Sequence, residues 1–214
     1  ESHGVMVLQV TRVALEEFRG FAIHADVLPV VVVNRADASA GRLFSLIHET
    51  THLALGSSGI CNASDRNGDG DAVEVYCNAV AGAFLVPTGA FLQHPIVQGH
   101  ARGPWTLSEL DRVASTFAVS RFVIVRRLFA LRRIERAEFD WLNQALEEEF
   151  ARTPRPKGRT SPASDVVSLS GNIFPNLVLQ AFSAERISAS SVASYLNVRL
   201  KHLREIQHLL ERTI

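Results

Sequence analysis

Hydrophobic positions near the start of the chain fall into short valine-rich runs. Residues 5–10 and 28–34 read VMVLQV and LPVVVVN, a composition typical of strands. The second run is almost uninterrupted by polar residues, which predicts a strand buried on both faces. The segment FAIHADV at 21–27 is a candidate third strand, and ALEEFRG at 14–20 a short helix ending at Gly20.

The pattern then changes to helical periodicity. Residues 39–56 predict a helix that Ser39 caps at its N-terminus and Gly56 ends. Glycine, serine, asparagine and aspartate cluster at 57–71, which predicts a loop. A second helix is expected at about 72–86, because the next residue is a proline.

Beyond Pro104 the strand signals disappear, and amphipathic helical stretches run from 106 to 150. The segment 152–164 has three prolines, four basic residues and no acidic residue, which predicts an exposed loop or linker. A last helical pair is expected at about 173–183 and 188–211.

Together these elements predict an α+β fold, in which a small valine-rich sheet packs on two helices and an all-helical part follows. Two similar nonapeptides, VASTFAVSR at 113–121 and VASYLNVRL at 192–200, look like the inner half of a helix-turn-helix. The expected organisation is a sheet-containing domain at 1–104, a helix-turn-helix-like segment at 105–150, a linker or loop at 151–165 and a C-terminal helical extension at 166–214.

The composition narrows the classes of function. Lysine plus arginine equals aspartate plus glutamate, 22 each, so a uniformly basic nucleic-acid binder is not indicated, although a local basic patch is compatible with this balance. Every apolar run is far shorter than the roughly 20 residues of a membrane span. Cys61 and Cys77 form no C-x-x-C pair, and we expect reduced thiols in a cytoplasmic protein without a secretory signal.

The candidate chemistry lies in the first predicted helix, where residues 48–52 read HETTH. Positions i and i+4 share one helix face, so His48 and His52 can direct ring nitrogens at one zinc ion. Glu49 projects roughly 100° around the helix, beside the metal, where its carboxylate can hold a water molecule. The alternative is a pair of satisfied core histidines, but burying two imidazoles and a carboxylate is unfavourable unless a group such as a metal compensates.

A catalytic zinc site has three protein ligands and an open fourth position. Glu74 begins the second predicted helix and is the expected third ligand, with Asp71 as the alternative. Asn78, one turn after Glu74, is placed to hydrogen-bond a ligand histidine. Glu74 could instead merely complement the helix dipole, and Cys77 is assigned to core packing. A calcium loop at 65–76 is rejected, because its twelfth position is a tyrosine where a bidentate glutamate is needed.

Four stretches, in the order GVMVLQV, GFAIHADVLPVVVVN, GRLFSLIHETTHLALG and EVYCNAVAGAFLVPTGAF, resemble the ImmA/IrrE-type zinc metallopeptidases. The resemblance covers about residues 4–95. Residues 106–134 resemble the helix-turn-helix-like segment that often follows in this family, and the last fifty residues resemble extensions of longer members. Longer members often begin with a repressor-type DNA-binding domain, so the start of this chain fits an N-terminal truncation. Thr51 departs from the glycine found in many members, without a change expected at the ligands.

The resemblance implies a zincin-like fold and a cytoplasmic zinc metalloendopeptidase of narrow specificity. The implied partner is a protein substrate, a repressor-type transcriptional regulator in a stress-response, mobile-element or toxin–antitoxin setting, and no membrane is involved. Carried over by position, the Zn²⁺ ligands are His48, His52 and Glu74, and the catalytic base is Glu49.

Peptide hydrolysis also needs a group that stabilises the oxyanion. Tyr76, His94 and His100 are the candidates by reach. One alternative function is a DNA-binding regulator that uses the peptidase domain as a sensor and contacts DNA through residues 106–134, where five arginines form a basic face. Another is a toxin or interaction module that keeps the metal fold without proteolysis. The five arginines are Arg121, Arg126, Arg127, Arg132 and Arg133.

Overall fold

The N-terminal part of the protein is built on a four-stranded sheet. The computed structural model describes residues 4–56, the backbone of 59–61, and residues 72–100, 103–152 and 161–212. Strand β3 lies inside the sheet, parallel to β1 and antiparallel to β2, and β2 pairs antiparallel with the edge strand β4. Four of the five β3 residues are buried, as the nearly uninterrupted valine run predicts. The strands are β1 Met6–Val10, β2 Gly20–Ile23, β3 Val30–Asn34 and β4 Gly59–Cys61.

Helices make up most of the rest of the described chain, so the predicted α+β class is confirmed. No described helix is both long and apolar enough to cross a membrane. The helices are α1 Ser39–Ala54, α2 Ala72–Leu85, α3 Thr88–Gln93, α4 Pro95–Gly99, α5 Leu107–Phe117, α6 Arg121–Ala130, α7 Arg136–Arg152, α8 Pro162–Ser170, α9 Ile173–Ser183, α10 Ala189–Tyr195 and α11 Leu203–Glu211, with a 3-10 turn at Leu200–His202.

Two hydrophobic cores organise these helices. The larger one joins the end of α2 and helices α3 and α4 to helices α5, α6 and α7, with Phe91, Leu110 and Leu128 fully buried. The domain boundary expected after residue 104 falls inside this continuous core. The smaller core holds helices α8 to α11 together around residues such as Ile206.

Helix α8 connects the C-terminal helices to the sheet. It begins at Pro162, inside the segment 151–165 that the sequence predicts to be a linker, because the Ser161 hydroxyl caps it and proline suits a first helical turn. Gln9 of β1 donates to the Ser168 carbonyl at 2.8 Å. Residues 153–160 lie outside the described residues.

Three local predictions are wrong. Residues 14–20 form a turn leading into β2 instead of a helix. The cap position of α1 is occupied by Ala38 without a side-chain cap, and Ser39 is already helical. Part of the loop expected at 57–71 is strand β4, and its other residues lie outside the described part of the chain.

The two similar nonapeptides fold alike at their turns. Ala118 and Asn197 have left-handed φ values of 53° and 50°. In each case the next residue donates its amide to the carbonyl five residues earlier, a common helix ending. Helix α6, which follows the first turn, is largely buried and packs on α2, α5 and α7.

Candidate metal centre

Helix α1 lies between the sheet and α2, and it buries its polar side. By contrast, Leu43 of this helix is 41% exposed, and Leu55, directly after its end, is 48% exposed. Burial of so many polar groups is unfavourable unless they have partners or a ligand. The buried residues of α1 are Ser45, His48, Glu49, Thr51 and His52.

Two imidazole nitrogens and one carboxylate converge at this buried face. The Nε2 atoms of His48 and His52 are 3.1 Å apart. Glu74, in the first turn of α2, places one carboxylate oxygen 3.1 Å from Nε2 of His48 and the other 3.0 Å from Nε2 of His52. Metal–ligand distances of about 2.0–2.1 Å put tetrahedral ligands about 3.3 Å apart. The separations therefore fit three protein ligands of one metal ion.

The electrostatics of His48 favour metal binding. Burial, together with the positive charges of His52 and Arg126, lowers the pKa of His48 to about 4. The imidazole is therefore neutral near pH 7, with a lone pair available to a metal. The side chain of Asn78, acting as a hydrogen-bond partner of His48, raises this pKa and so offsets part of the lowering. The contact is a loose one, because Nδ1 of His48 has no partner at hydrogen-bonding geometry among the described residues.

Glu49 is fully buried beside the ligands. Both of its carboxylate oxygens lack a hydrogen-bond partner within the described part of the chain. Burial, with a contribution from the negative charge of Glu74, raises the pKa of Glu49 to about 8. Strand β2 accommodates this carboxylate at Gly20, where a Cβ atom would lie 3.2 Å from Cγ and from Oε1 of Glu49. A carboxyl group with a pKa near neutrality suits general acid–base chemistry.

This geometry can be compared with known families. Residues 1–129 match the family model of the IrrE N-terminal-like domain, a peptidase family. The chain belongs to the ImmA/IrrE family. The matched part includes the sheet, both ligand helices and nearly all of α6, so it extends beyond the boundary expected after residue 104. Comparison with functionally curated proteins gives no match.

Other predicted site residues of this ImmA/IrrE-family protein lie elsewhere. Tyr76 is 55% exposed and projects about 200° around α2 from Glu74, on the far side of the helix. His94 contacts the Thr116 hydroxyl at 3.1 Å, and His100 stacks on Trp105. The structure does not bring either histidine into the cluster of ligands. Their proposed part in oxyanion stabilisation stays a prediction.

The sequence also predicts roles for Cys77, as a packing residue, and for Asp71, as the alternative metal ligand. Cys77 is buried, and burial raises its thiol pKa to about 11, as suits a packing residue. Asp71, the alternative ligand, lies outside the described residues.

The five arginines expected to form one basic face differ in their burial and in their partners. Arg127 is buried and donates to the Val86 carbonyl at 3.0 Å, and Arg121 forms ion pairs with carboxylates of α5 and α7. Arg132 and Arg133 are exposed. The sequence offers no local sign that Arg126 lies near His48, because that proximity depends on how α6 packs against α2.

Proposed function

We propose that this protein is a zinc-dependent endopeptidase of narrow specificity. The observation that carries the proposal is a set of three ligand side chains, whose imidazole nitrogens and carboxylate oxygens approach one another to 3.0–3.1 Å. Beside them lies the buried carboxylate of Glu49, which has no hydrogen-bond partner among the described residues. Two histidines and a carboxylate are a ligand set of catalytic zinc sites. Bound zinc would polarise the scissile carbonyl and lower the pKa of a water molecule towards about 7.

The residues of the chain have separate tasks in this mechanism. His48 and His52 would hold the metal through Nε2, and Glu74 would hold it from the neighbouring helix. Glu49 accepts a proton from the attacking water at its carboxylate and returns that proton to the leaving amine. The burial of Glu49 strengthens its electrostatic interactions, since bulk water does not screen them there.

The proposed substrate is a repressor-type transcriptional regulator in the cytoplasm, in a stress-response, mobile-element or toxin–antitoxin setting. Membership of a family of regulatory peptidases supports this proposal. A small repressor encoded beside this protein is the first candidate to test.

Replacement of the base tests the enzymatic role. Zinc-loaded wild-type protein, Glu49→Gln and the control Thr50→Ala are incubated with the candidate repressor, and fragments are identified by mass spectrometry. We expect Glu49→Gln to retain zinc and lose cleavage, while Thr50→Ala, changed at an exposed position of the same helix, cleaves normally. Cleavage by Glu49→Gln at the wild-type rate would show that the assignment is wrong.

DNA binding through residues 106–134 is the alternative. The exposed Arg132 and Arg133 and the turn at Ala118 favour it. The burial of α6 and of Arg127 argues against DNA binding, because a recognition helix must present its side chains to the major groove. A gel-shift titration with a steep dependence on salt would support DNA binding.

A further inference from the structure

A small cavity lies between helices α2, α6 and α7. Its volume is about 190 Å³, and most of its lining is apolar. Val75, Ala79 and Ala130 of this lining are exposed, so the cavity opens to solvent instead of being a void in the core. Phe129 and Phe139, whose ring centroids are 4.6 Å apart, form its aromatic side.

The lining of this cavity includes residues that neighbour the metal ligands in sequence or influence them. Val75 directly follows the ligand Glu74, and Asn78 lies one helical turn beyond it. Asn78 and Arg126 both line the cavity. Both also affect the pKa of the ligand His48, Asn78 as a hydrogen-bond partner and Arg126 through its positive charge. Asn78 and Arg126 therefore link the lining of the cavity to the surroundings of the ligand His48.

The chemistry of the lining defines what the cavity can bind. Its volume is below the roughly 300 Å³ of the smallest pockets for drug-sized ligands, and it suits a single large side chain. Aliphatic and aromatic walls favour an apolar side chain, because its surface is removed from water. A guanidinium group offers fixed donors to a carbonyl oxygen. Arg126 brings such donors to the side of the cavity near the metal ligands.

We propose that this cavity is the subsite for one large apolar side chain of the peptide substrate, and that Arg126 binds the peptide carbonyl beside that side chain. The inference rests on the proposed peptidase function and adds a substrate class to it. The preferred peptides carry leucine, methionine or phenylalanine next to the scissile bond, with a smaller residue at that position disfavoured.

Two hydroxamates test the subsite without a known substrate. N-acetyl-leucine hydroxamate and N-acetyl-alanine hydroxamate share the metal-binding group and differ only in the side chain. Calorimetric titration of the zinc-loaded full chain gives both affinities. We expect the leucine probe to bind at least about tenfold more tightly, since burial of each additional CH₂ group contributes about 0.8 kcal/mol.

Filling the cavity should remove this preference. In Ala79→Phe the added ring occupies the space between α2 and α6, so both probes should bind with the affinity of the alanine probe. The matched control is Ala83→Phe, because Ala83 is exposed on the same helix and is not part of the lining. It should retain the tenfold preference. Retained binding of the alanine probe by Ala79→Phe shows that the variant is folded.

Arg126 is tested separately. Arg126→Met should weaken both probes to the same extent, by about tenfold as expected for a lost charge-assisted hydrogen bond. Arg126→Lys should restore part of the affinity. Unchanged affinity of Arg126→Met for both probes would contradict the role of this residue.

The outcomes separate this inference from the proposed function. Equal affinity of the wild-type protein for the two probes, or an unchanged preference in Ala79→Phe, overturns the subsite and leaves the metal centre standing. Failure of the zinc-loaded protein to bind either hydroxamate overturns the proposed function and the subsite together.

Discussion

Gly20 offers a sensitive test of how the fold positions Glu49. This glycine begins β2, and the Cβ atom of an alanine there would lie 3.2 Å from Cγ and Oε1 of Glu49 and 3.2 Å from the Val32 carbonyl oxygen. Carbon contacts are ordinarily about 3.5–4.0 Å. The Val32 carbonyl belongs to the β3 backbone, so the Glu49 side chain has to move.

The size of the effect follows from these contacts. Restoring ordinary separations displaces Glu49 by about 0.3–0.8 Å. A misplacement of about 1 Å in a catalytic site costs about a hundredfold in rate. We therefore expect Gly20→Ala to lower kcat/KM by about tenfold to a hundredfold, and to destabilise the fold by about 1–3 kcal/mol through overpacking.

Three measurements check this prediction: urea unfolding, zinc content, and hydrolysis of a peptide that the wild-type protein cleaves. Zinc content should be unchanged, because Gly20 faces the base. Gly89→Ala is the control, since a Cβ atom at Gly89 meets no atom within 4 Å. If Gly20→Ala hydrolyses the peptide at the wild-type rate and unfolds in urea like the wild-type protein, the enclosure of Glu49 between α1 and β2 is refuted.

Two further predictions concern stability. Arg127→Met should destabilise the protein by about 1–3 kcal/mol in urea unfolding, because it removes the donors to the Val86 carbonyl inside the core; the exposed Arg133→Met is the control, and equal stability of both variants would contradict this. Hydrogen bonds from the Thr106 backbone and hydroxyl hold the pKa of Glu109 below its ordinary value of 4.5. The contribution of ionised Glu109 to the free energy of unfolding is complete above pH 4.5 and is lost as the pH falls through the lowered pKa. Unfolding free energies measured across pH should therefore show Glu109→Gln less stable than wild type at neutral pH and equal to it in acid, and a pH-independent difference would refute this.

The ligand helices could be predicted because their signals are local. His48 and His52 are one turn apart on a single helix, and Glu74 opens the next helix. The sheet was also readable from its valine runs. The polar side that α1 buries cannot be derived from the helix alone, because it depends on the neighbouring elements, and here α2 places a carboxylate ligand beside the histidines.

The features that sequence did not predict depend on tertiary packing or on weak local signals. The approach of Arg126 to His48 and the cavity beside it require α6 to lie against α2, a contact between distant segments. The start of helix α8 is not apparent in the sequence, because its proline belongs to a proline-rich segment typical of linkers, whereas proline is also favourable in the first turn of a helix. Strand β4 has three residues, too few for a period of two to be recognised.

The proposed mechanism depends on His48, His52 and Glu74 together holding one catalytic metal ion. Titration of the metal-free protein with zinc tests it most directly, with Glu74→Ala compared against the exposed control Glu135→Ala. We expect one zinc ion per chain in wild type and control, and binding at least about a hundredfold weaker in Glu74→Ala, since the loss even of a group that only supports a ligand costs about 10- to 100-fold. Full zinc affinity in Glu74→Ala would contradict the three-ligand centre.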